Sequence, residues 1–283
     1  MTDVLAFGEV LWDVINDDAH IGGAPFNFAA HARLCGLRAA LVSSLGLDEL
    51  GARARREIAA LGVVDRFVFT HRTLPTGIVA VTLADGIPSY EIKRPVAWDE
   101  IAFPEGCARP TAPRALYFGT LAQRSSVSAG TLAGLVREFP DALTFFDVNL
   151  RQNFWSPGLV EEDLAFTDIL KVNDDEMKML GLEPVELFDR HPRLKIVVET
   201  RGKNGCRVTP RDGEAFSSPA VDAGPVVDTV GAGDSFSAAF LAAVLDGASL
   251  REAAEAGNRR AGQVAARAGA VPEDMRTTDK PDV

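Results

Sequence analysis

A glycine-rich run that ends in an acid is the strongest candidate for chemistry in the sequence. It reads Asp228-Thr229-Val230-Gly231-Ala232-Gly233-Asp234-Ser235-Phe236 and stands directly before a helix of small and apolar residues. Glycines at the start of a helix let backbone N–H groups approach an anion, and the helix dipole adds a favourable potential. The run therefore predicts a phosphate-binding turn, in which Asp234 would act as a general base toward a substrate hydroxyl.

Other interpretations of this run remain open from the residues alone. Asp234 could simply cap the helix, since aspartate is favoured at helix N-termini, and capping explains the acid as well as catalysis does. A dinucleotide-binding loop also begins with Gly-x-Gly, but Phe236 stands where that fingerprint requires a third small residue. A nucleotide-binding P-loop is missing, because Gly202-Lys203 is followed by Asn204 and lacks the upstream glycine.

Alternating strands and helices must position these residues. Apolar runs predict strands at 4–7, 10–15, 38–44, 115–118, 143–146, 168–172 and 194–199, and helical patterns cover 25–34, 48–61, 232–245 and 250–268. Residues 206–209 and 214–217 resemble a hairpin. The alternation favours an α/β fold with a mostly parallel central sheet covered by helices on both faces.

Between residues 66 and 101 the pattern changes to strands alone, at 67–69, 77–83 and 89–93, separated by turn residues such as Asp85-Gly86. We expect a small β-strand lid over the site, made of residues 9–21 and 66–103 within a single domain of residues 1–283. The edge of such a lid could pair with a second copy, so a homodimer through the lids is expected.

The composition narrows the classes of partner. With 40 acidic and 29 basic side chains the formal charge is -11, which opposes attraction to nucleic acid or anionic lipid. We therefore expect small-molecule partners, no nucleic acid and no membrane, and the absence of a leader pattern favours a cytoplasmic location. Cys35, Cys107 and Cys206 lack metal-ligand or C-x-x-C spacing, so three buried free thiols are expected.

Two segments together resemble the signatures of the ribokinase/PfkB family of carbohydrate kinases. One is the run from Asp228 to Phe236. The other, roughly two hundred residues earlier, comprises Gly22-Gly23-Ala24-Pro25-Phe26-Asn27-Phe28-Ala29-Ala30 with Leu34, Gly36, Gly46, Asp48 and Gly51. The resemblance covers essentially the whole chain. It implies a ribokinase-like fold of three layers with a β lid, and an ATP-dependent sugar kinase that uses Mg²⁺ and a monovalent cation such as K⁺.

The resemblance also assigns residues to the two ends of the site. It makes Asp234 the catalytic base and Gly231, Ala232 and Gly233 the anion hole that stabilises the transferring phosphoryl group. Asp13, Gly23 and Asn27 correspond to positions that bind the sugar, and carboxylates and amides suit polyols because they accept or donate at fixed geometry. Without the resemblance, Asp13 would be a solvated turn acid and Asn27 a helix cap.

The nucleotide and metal positions follow in the same way. Asn173 and Glu176 resemble an N-x-x-E element that orients Mg²⁺ through its waters, although acids at a helix start are otherwise ordinary. The nucleotide contacts implied by the resemblance are Asn173, Thr200, Gly202, Gly205, Gly231, Gly233 and Asn258. The positions implied for a monovalent cation, held chiefly by backbone carbonyls, are Asp228, Val230, Val264, Arg267 and Gly269.

The identity of the sugar depends on a further segment. Asp147-x-Asn149-x-Arg151 followed by Trp155 resembles an element of the fructokinase and 2-keto-3-deoxygluconate kinase branches. Arg151 could face the carboxylate of an acidic sugar, or it could position phosphate and neighbouring acids. Phe26 and Phe28 are bulkier than the residues often found beside the corresponding asparagine, which affects the expected shape of the pocket.

Further matches favour bacterial fructokinases, so fructose is the expected substrate and fructose 6-phosphate the expected product. These matches are Gly8-Glu9-x-Leu11-x-Asp13, Pro75-Thr76-Gly77, residues 86–92 and 96–99, and residues 118–124. The alternatives are a 2-keto-3-deoxygluconate kinase or a ribokinase-like pentose or nucleoside kinase. From other classes, a non-catalytic sugar or nucleotide sensor and an NAD-dependent oxidoreductase remain to be tested.

Overall fold

The computed structural model describes residues 2–15, 18–84, 87–104, 110–181 and 183–276. Within them, nine strands form one central sheet in the order β13-β12-β11-β10-β9-β8-β1-β4-β5. The strands from β11 to β5 run parallel, and β12 and β13 extend one edge as an antiparallel hairpin. They are β1 (Val4–Phe7), β4 (Ala39–Gly46), β5 (Val68–His71), β8 (Ala115–Phe118), β9 (Leu143–Asp147), β10 (Ile169–Asn173), β11 (Ile196–Thr200), β12 (Cys206–Pro210) and β13 (Phe216–Ser218). The expected mostly parallel sheet is confirmed.

Helices cover both faces of this sheet. Their bounds are α1 (Ala24–Leu34), α2 (Glu49–Ala60), α3 (Ser126–Glu138), α4 (Pro157–Leu164), α5 (Asp174–Leu180), α6 (Pro184–Arg190), α7 (Ala232–Leu245) and α8 (Leu250–Ala265). Apolar residues of α1, α2, α7 and α8 pack with Val4 and Ala6 of β1, whereas those of α3, α4 and α6 pack with Leu5 and Phe7. Because alternate residues of a strand point to opposite faces, two cores result and the fold has three layers.

A second, four-stranded sheet forms the lid. Its order is β3-β2-β6-β7, with β2 parallel to β6 and the other neighbours antiparallel. The strands are β2 (Leu11–Ile15), β3 (Asp18–Gly22), β6 (Gly77–Ala84) and β7 (Ile87–Ile92). The expected Asp85-Gly86 turn lies outside the described residues. β3 and β7 are the edge strands of this sheet, and pairing of a lid edge with a second copy stays a prediction.

The expected lid segment 66–103 needs a correction at its beginning. β5 pairs in parallel with β4, with Ser43 opposite Val68, and so belongs to the central sheet. The second part of the lid sheet therefore starts at Gly77. After β7 the chain returns to the core, since Trp98, in a 3-10 helix at Ala97–Glu100, is fully buried. A short apolar run shows that a strand forms there but does not show which strand it pairs with.

Asp48 connects the lid to the body of the protein. Its Oδ1 accepts hydrogen bonds from Gly51 N (2.7 Å) and Thr76 Oγ1 (2.6 Å), and its Oδ2 accepts one from Thr76 N (2.7 Å). The N–H of Gly46 donates to the same threonine hydroxyl at 3.0 Å. Part of the N-terminal motif therefore fixes the residue that immediately precedes β6, rather than lining the sugar site.

The bulky neighbours of Asn27 belong to the core. Phe26 and Phe28 are both fully buried. The ring of Phe28 stacks on Tyr117 with centroids 3.7 Å apart, and Phe145 lies 6.5 Å from it at a tilt. These aromatic side chains therefore fix the orientation of α1 against the sheet.

The expectation of three buried thiols holds in part. Cys206 is buried and free, but Cys35 is free and only partly buried because it lies at the end of α1. Cys107 lies outside the described residues. In the part of the chain that the structure describes, no helix combines the length and apolar character needed to cross a membrane.

We predict that Phe28→Ala lowers the free energy of unfolding by about 3–5 kcal/mol, because it removes a buried ring and leaves a cavity. Urea unfolding followed by fluorescence measures the change. Val127→Ala, at a side chain of α3 that is 50% exposed, is the matched control and should change the value by less than about 0.5 kcal/mol. Equal stability of the two variants would contradict the stacking argument.

Candidate active site

The candidate residues converge at the carboxyl ends of the parallel strands. β1 ends just before Glu9, β9 ends at Asp147 and β10 ends at Asn173, and parallel strands bring these ends to the same edge of the sheet. Ligands of open α/β sheets bind at this edge. The N-terminus of α7, with the glycine run, reaches the same place, because Asp234 interacts electrostatically with Asp147 and Lys171.

A hydrogen bond between Asn27 and Asp234 joins the two sequence motifs. Asn27 Nδ2 donates to Asp234 Oδ2 at 2.8 Å, across 207 positions of the chain. Asn27 Oδ1 is buried and has no hydrogen-bond partner among the described residues. Since a buried polar atom without a partner is costly, this oxygen is available to accept a hydrogen bond from a ligand hydroxyl.

The start of α7 does not depend on a side-chain cap. Gly231 is the N-cap residue, no side-chain capping bond is found there, and Asp234 is the third residue of the helix. The alternative that Asp234 merely caps α7 therefore loses support, because its carboxylate accepts from Asn27 instead. The backbone around Gly231 is strained for any other residue. Its φ is +76°, and a Cβ there would lie 2.6 Å from the Cα of Ala270.

Burial and neighbouring charge weaken the acidity of Asp234. Desolvation, and then the carboxylate of Asp147, raise its pKa to about 6, while the Asn27 hydrogen bond and the positive charges of Lys171 and Arg151 act in the opposite direction. A carboxylate with a pKa near 6 is ionised at neutral pH and still has appreciable basicity. Asp234 therefore has the properties required of a general base.

A buried polar cluster lies beneath the glycine run. Lys171 Nζ donates to Asp147 Oδ1 at 2.9 Å, and Asp147 Oδ2 accepts from Ser237 Oγ at 3.0 Å and Tyr117 OH at 3.2 Å. Lys171 and Ser237 were missed by the sequence analysis. The available signal was a lysine inside the otherwise apolar strand Ile169-Leu170-Lys171-Val172.

The predicted sugar end contains a second buried acid, for which no role in the site was predicted from the sequence. Glu9 is 4% exposed, and its Oε1 accepts from Ala24 N, at the start of α1, at 3.1 Å. Desolvation raises the pKa of Glu9 to about 7, with a further contribution from Asp234. Gly23 has a φ of +108°, and a Cβ there would lie 2.5 Å from the Glu9 carbonyl oxygen. Glycine is therefore required where α1 meets the β1–β2 connection.

Asp13 and Arg151 lie at the same end. Asp13 is half-buried on β2, and burial raises its pKa, opposed first by Arg151 and then by His20. Arg151 is exposed, yet its charge also acts on Glu9 and Asp234. Asn149, two residues before it, has a φ of 44°, which is uncommon outside glycine. The structure thus brings the predicted sugar residues Asp13, Gly23, Asn27, Arg151 and Asp234 into one region.

Asn173 and Glu176 form a reciprocal cap on α5. Asn173 Oδ1 accepts from the N–H groups of Asp175 and Glu176, and Glu176 Oε2 accepts from Asn173 N at 2.9 Å. Glu176 Oε1 accepts from Leu150 N at 2.9 Å, which ties the Arg151 loop to this helix. The capping role is therefore observed, and the role toward Mg²⁺ stays a prediction. In the described ranges, no group of three or more His, Cys, Asp or Glu side chains is placed to hold a metal ion.

The predicted nucleotide residues lie on the antiparallel side of the site. Thr200 ends β11 directly opposite Asn173. Gly202 begins a 3-10 helix and Gly205 follows it, and both glycines have positive φ angles. Asn258 is buried, and its Nδ2 donates to Ser218 O at 3.1 Å and Ser218 Oγ at 3.0 Å, so its amide fixes α8 to β13. Contact of these residues with a nucleotide stays a prediction.

The two segments predicted for a monovalent cation are in contact. Asp228 Oδ1 accepts from Val230 N and its Oδ2 accepts from Gly269 N, each at 3.0 Å. The carbonyl of Val264 accepts from Arg267 N at 2.9 Å, so it completes the end of α8. The loop contact is established by these bonds, whereas cation binding is not tested by them.

Comparison with known proteins gives the context for this geometry. The profile described as pfkB family carbohydrate kinase matches residues 1–277. Fructokinase-1 of Oryza sativa subsp. japonica is 30% identical over an alignment of 305 residues, which covers 95% of this chain and 93% of that protein.

Solved structures resemble the whole fold. A sugar kinase of Pyrococcus horikoshii in complex with ATP has a TM-score of 0.81 at 25% identity, covering 94% of this chain and 93% of that one. A fructokinase of Vibrio cholerae O395 in a fructose, ADP and calcium ion bound form has a TM-score of 0.79 at 22% identity, covering 95% and 94%.

We predict that Gly231→Ala lowers turnover roughly tenfold to a hundredfold. Alanine is strained at the positive φ of this position and its Cβ would collide with Ala270, so the start of α7 would be displaced. Steady-state kinetics measures the turnover, and a thermal melt measures the stability of each variant. Gly247→Ala is the matched control, since Gly247 has a φ of +82° but no atom within 4 Å of an added Cβ. The control should lose stability through strain and keep its turnover; equal turnover in both variants would contradict the argument.

Proposed function

The chain belongs to the pfkB family of carbohydrate kinases, and on that premise we propose that it transfers the γ-phosphate of ATP to a primary hydroxyl of fructose, giving fructose 6-phosphate. The observation that carries this proposal is the hydrogen bond between Asn27 and Asp234. It links the helix that begins at the sugar end to the turn that begins the phosphate end. The reacting hydroxyl would therefore meet a base and an anion site together.

The proposed roles follow from the chemistry of each group. Asp234 accepts the proton of the attacking hydroxyl, and Asn27 Oδ1 accepts a hydrogen bond from the sugar. The backbone N–H groups from Gly231 to Gly233, at the N-terminus of α7, stabilise the charge on the transferring phosphoryl oxygens. Little covalent chemistry is required of the protein, since phosphoryl transfer depends mainly on position and electrostatics.

Mg²⁺ would neutralise phosphate charge when it is bound with ATP. Each carboxylate oxygen of Glu176 accepts one backbone N–H and keeps further lone-pair capacity, so Asn173 and Glu176 fit contact with water ligands rather than direct ligation. We also propose a K⁺-like ion at the Asp228 loop and a homodimer through the lid edges.

The choice of fructose rests on the charges of the sugar end and on the names of relatives. Glu9, Asp13 and Asp234 are acids there, and Arg151 is the cation that acts on all three of them. This balance favours a neutral polyol over a sugar acid. The relative from Oryza sativa is named a fructokinase.

A substrate panel tests this choice. ADP release should be fastest with fructose among fructose, glucose, ribose, tagatose, adenosine and 2-keto-3-deoxygluconate. Turnover of the sugar acid alone would contradict the assignment, and Arg151 would then be a carboxylate ligand. Binding of sugar or nucleotide without turnover of any acceptor would favour a sensor.

We predict that Asp234→Asn lowers kcat by roughly 10²–10⁴-fold, because the amide cannot accept the hydroxyl proton. Calorimetry with ATP should show nucleotide affinity close to that of the parent, since the glycine turn is retained. Unchanged kcat would refute the role of Asp234 as base.

We also predict an acid limb in the pH profile. With the pKa of Asp234 raised to about 6, kcat/KM should fall about tenfold for each pH unit below about 6 and level off above it, because only the ionised carboxylate accepts a proton. Glu9→Gln assigns the limb, because the pKa of the nearby Glu9 is raised to about 7 and so lies close to the same range. The limb should persist in that variant; its disappearance would assign it to Glu9.

A further inference from the structure

A buried ion pair lies directly under the glycine turn, outside the roles described above. Lys171 is 6% exposed and Asp147 is 1% exposed, and their charged atoms are 2.9 Å apart. Lys171 Nζ lies 3.2 Å from the position that a Cβ on Gly233 would occupy, so the ammonium touches the second residue of α7 from below. Asp234 is the next residue along the helix.

We propose that Lys171 is a positioning residue for phosphoryl transfer: its ammonium neutralises Asp147 beneath the glycine turn and thereby keeps the neighbouring Asp234 ionised. This inference rests on the proposed role of Asp234 as base. Lys171 affects the reaction through Asp147 and Asp234, and it requires no contact with the sugar.

The contacts of Asp147 indicate that it is an anion. Its two carboxylate oxygens accept three donors, from Lys171, Ser237 and Tyr117. None of these contacts requires a proton on the carboxylate, and the ammonium favours the charged form. An anion so close to Asp234 would on its own oppose ionisation of the base, so the position of Lys171 matters electrostatically.

The charges on both sides of the pair support this arrangement. Burial disfavours the charge on Lys171, but Asp147, Glu176 and Asp234 outweigh it and raise the pKa of the ammonium, which keeps its charge. Burial and then Asp147 raise the pKa of Asp234, and Lys171 lowers it. Other charged groups that interact with Asp234 are Glu9 before β2 and Arg151 after β9, and the charge of Asp234 also acts on Tyr117 on β8.

The test compares the acid limb of kcat/KM in isosteric variants. Lys171→Met leaves Asp147 without its counterion, so the limb should move to higher pH by about one unit. Asp147→Asn leaves the ammonium near Asp234, so the limb should move to lower pH by about one unit. The double variant removes both charges and should return the limb close to that of the parent.

A matched control is Lys195→Met. Lys195 also forms an ion pair, with Asp168 Oδ1 at 3.0 Å, but its side chain is 66% exposed and it is not among the main charges that act on Asp234. The acid limb of kcat/KM in Lys195→Met should coincide with that of the parent. A purely structural role of the Lys171–Asp147 pair would change stability in a thermal melt without separating the two limbs.

The inference is overturned if the limb of Lys171→Met does not lie at higher pH than that of the parent. If Lys171→Met does not fold, Asp147→Asn against the parent decides: a limb at lower pH supports the inference and an unchanged limb overturns it. The proposed function fails separately, when the parent turns over no sugar or Asp234→Asn retains full activity.

Discussion

The contact between Asn27 and Asp234 is the constraint on which the site depends. An amide from α1 and a carboxylate from α7 meet at 2.8 Å, although 207 positions separate them in the chain. The meeting requires α1 to be fixed against the sheet, which the buried rings of Phe26 and Phe28 accomplish, and α7 to begin at one defined position, which Gly231 against Ala270 accomplishes. Packing on one face of the sheet therefore determines geometry at its edge.

Burial of several charges at this edge sets the acidity of the site. Glu9 and Asp234 are both desolvated and act on one another, so both have raised pKa values. Lys171 and Arg151 oppose this from below and from the loop after β9. Low-dielectric surroundings strengthen these interactions between buried groups.

The lid and the body are connected by polar contacts as well as by apolar packing, since Trp12, Val79 and Ile92 of the lid strands belong to the buried cores. Asp48, at the start of α2, accepts two hydrogen bonds from Thr76, just before β6, and one from Gly51. Gly22 and Gly23 close the other connection, where α1 follows β3.

Local pattern was sufficient for the elements and the motifs. Helix α7 begins and ends where the sequence predicts, because its small and apolar residues follow a glycine turn. The glycine run was selected as a site from its residues, whereas Asn27 was selected through the family resemblance. β5 was placed in the wrong sheet, because a run of apolar residues does not specify its pairing partner. Lys171 was not selected, since a single charge inside a strand has no periodic signal, and neither was Glu9, which lies in the connection between β1 and β2. Only the tertiary structure brought them beside Asp147 and Asp234, where desolvation and charge, which act through space, give them their effect.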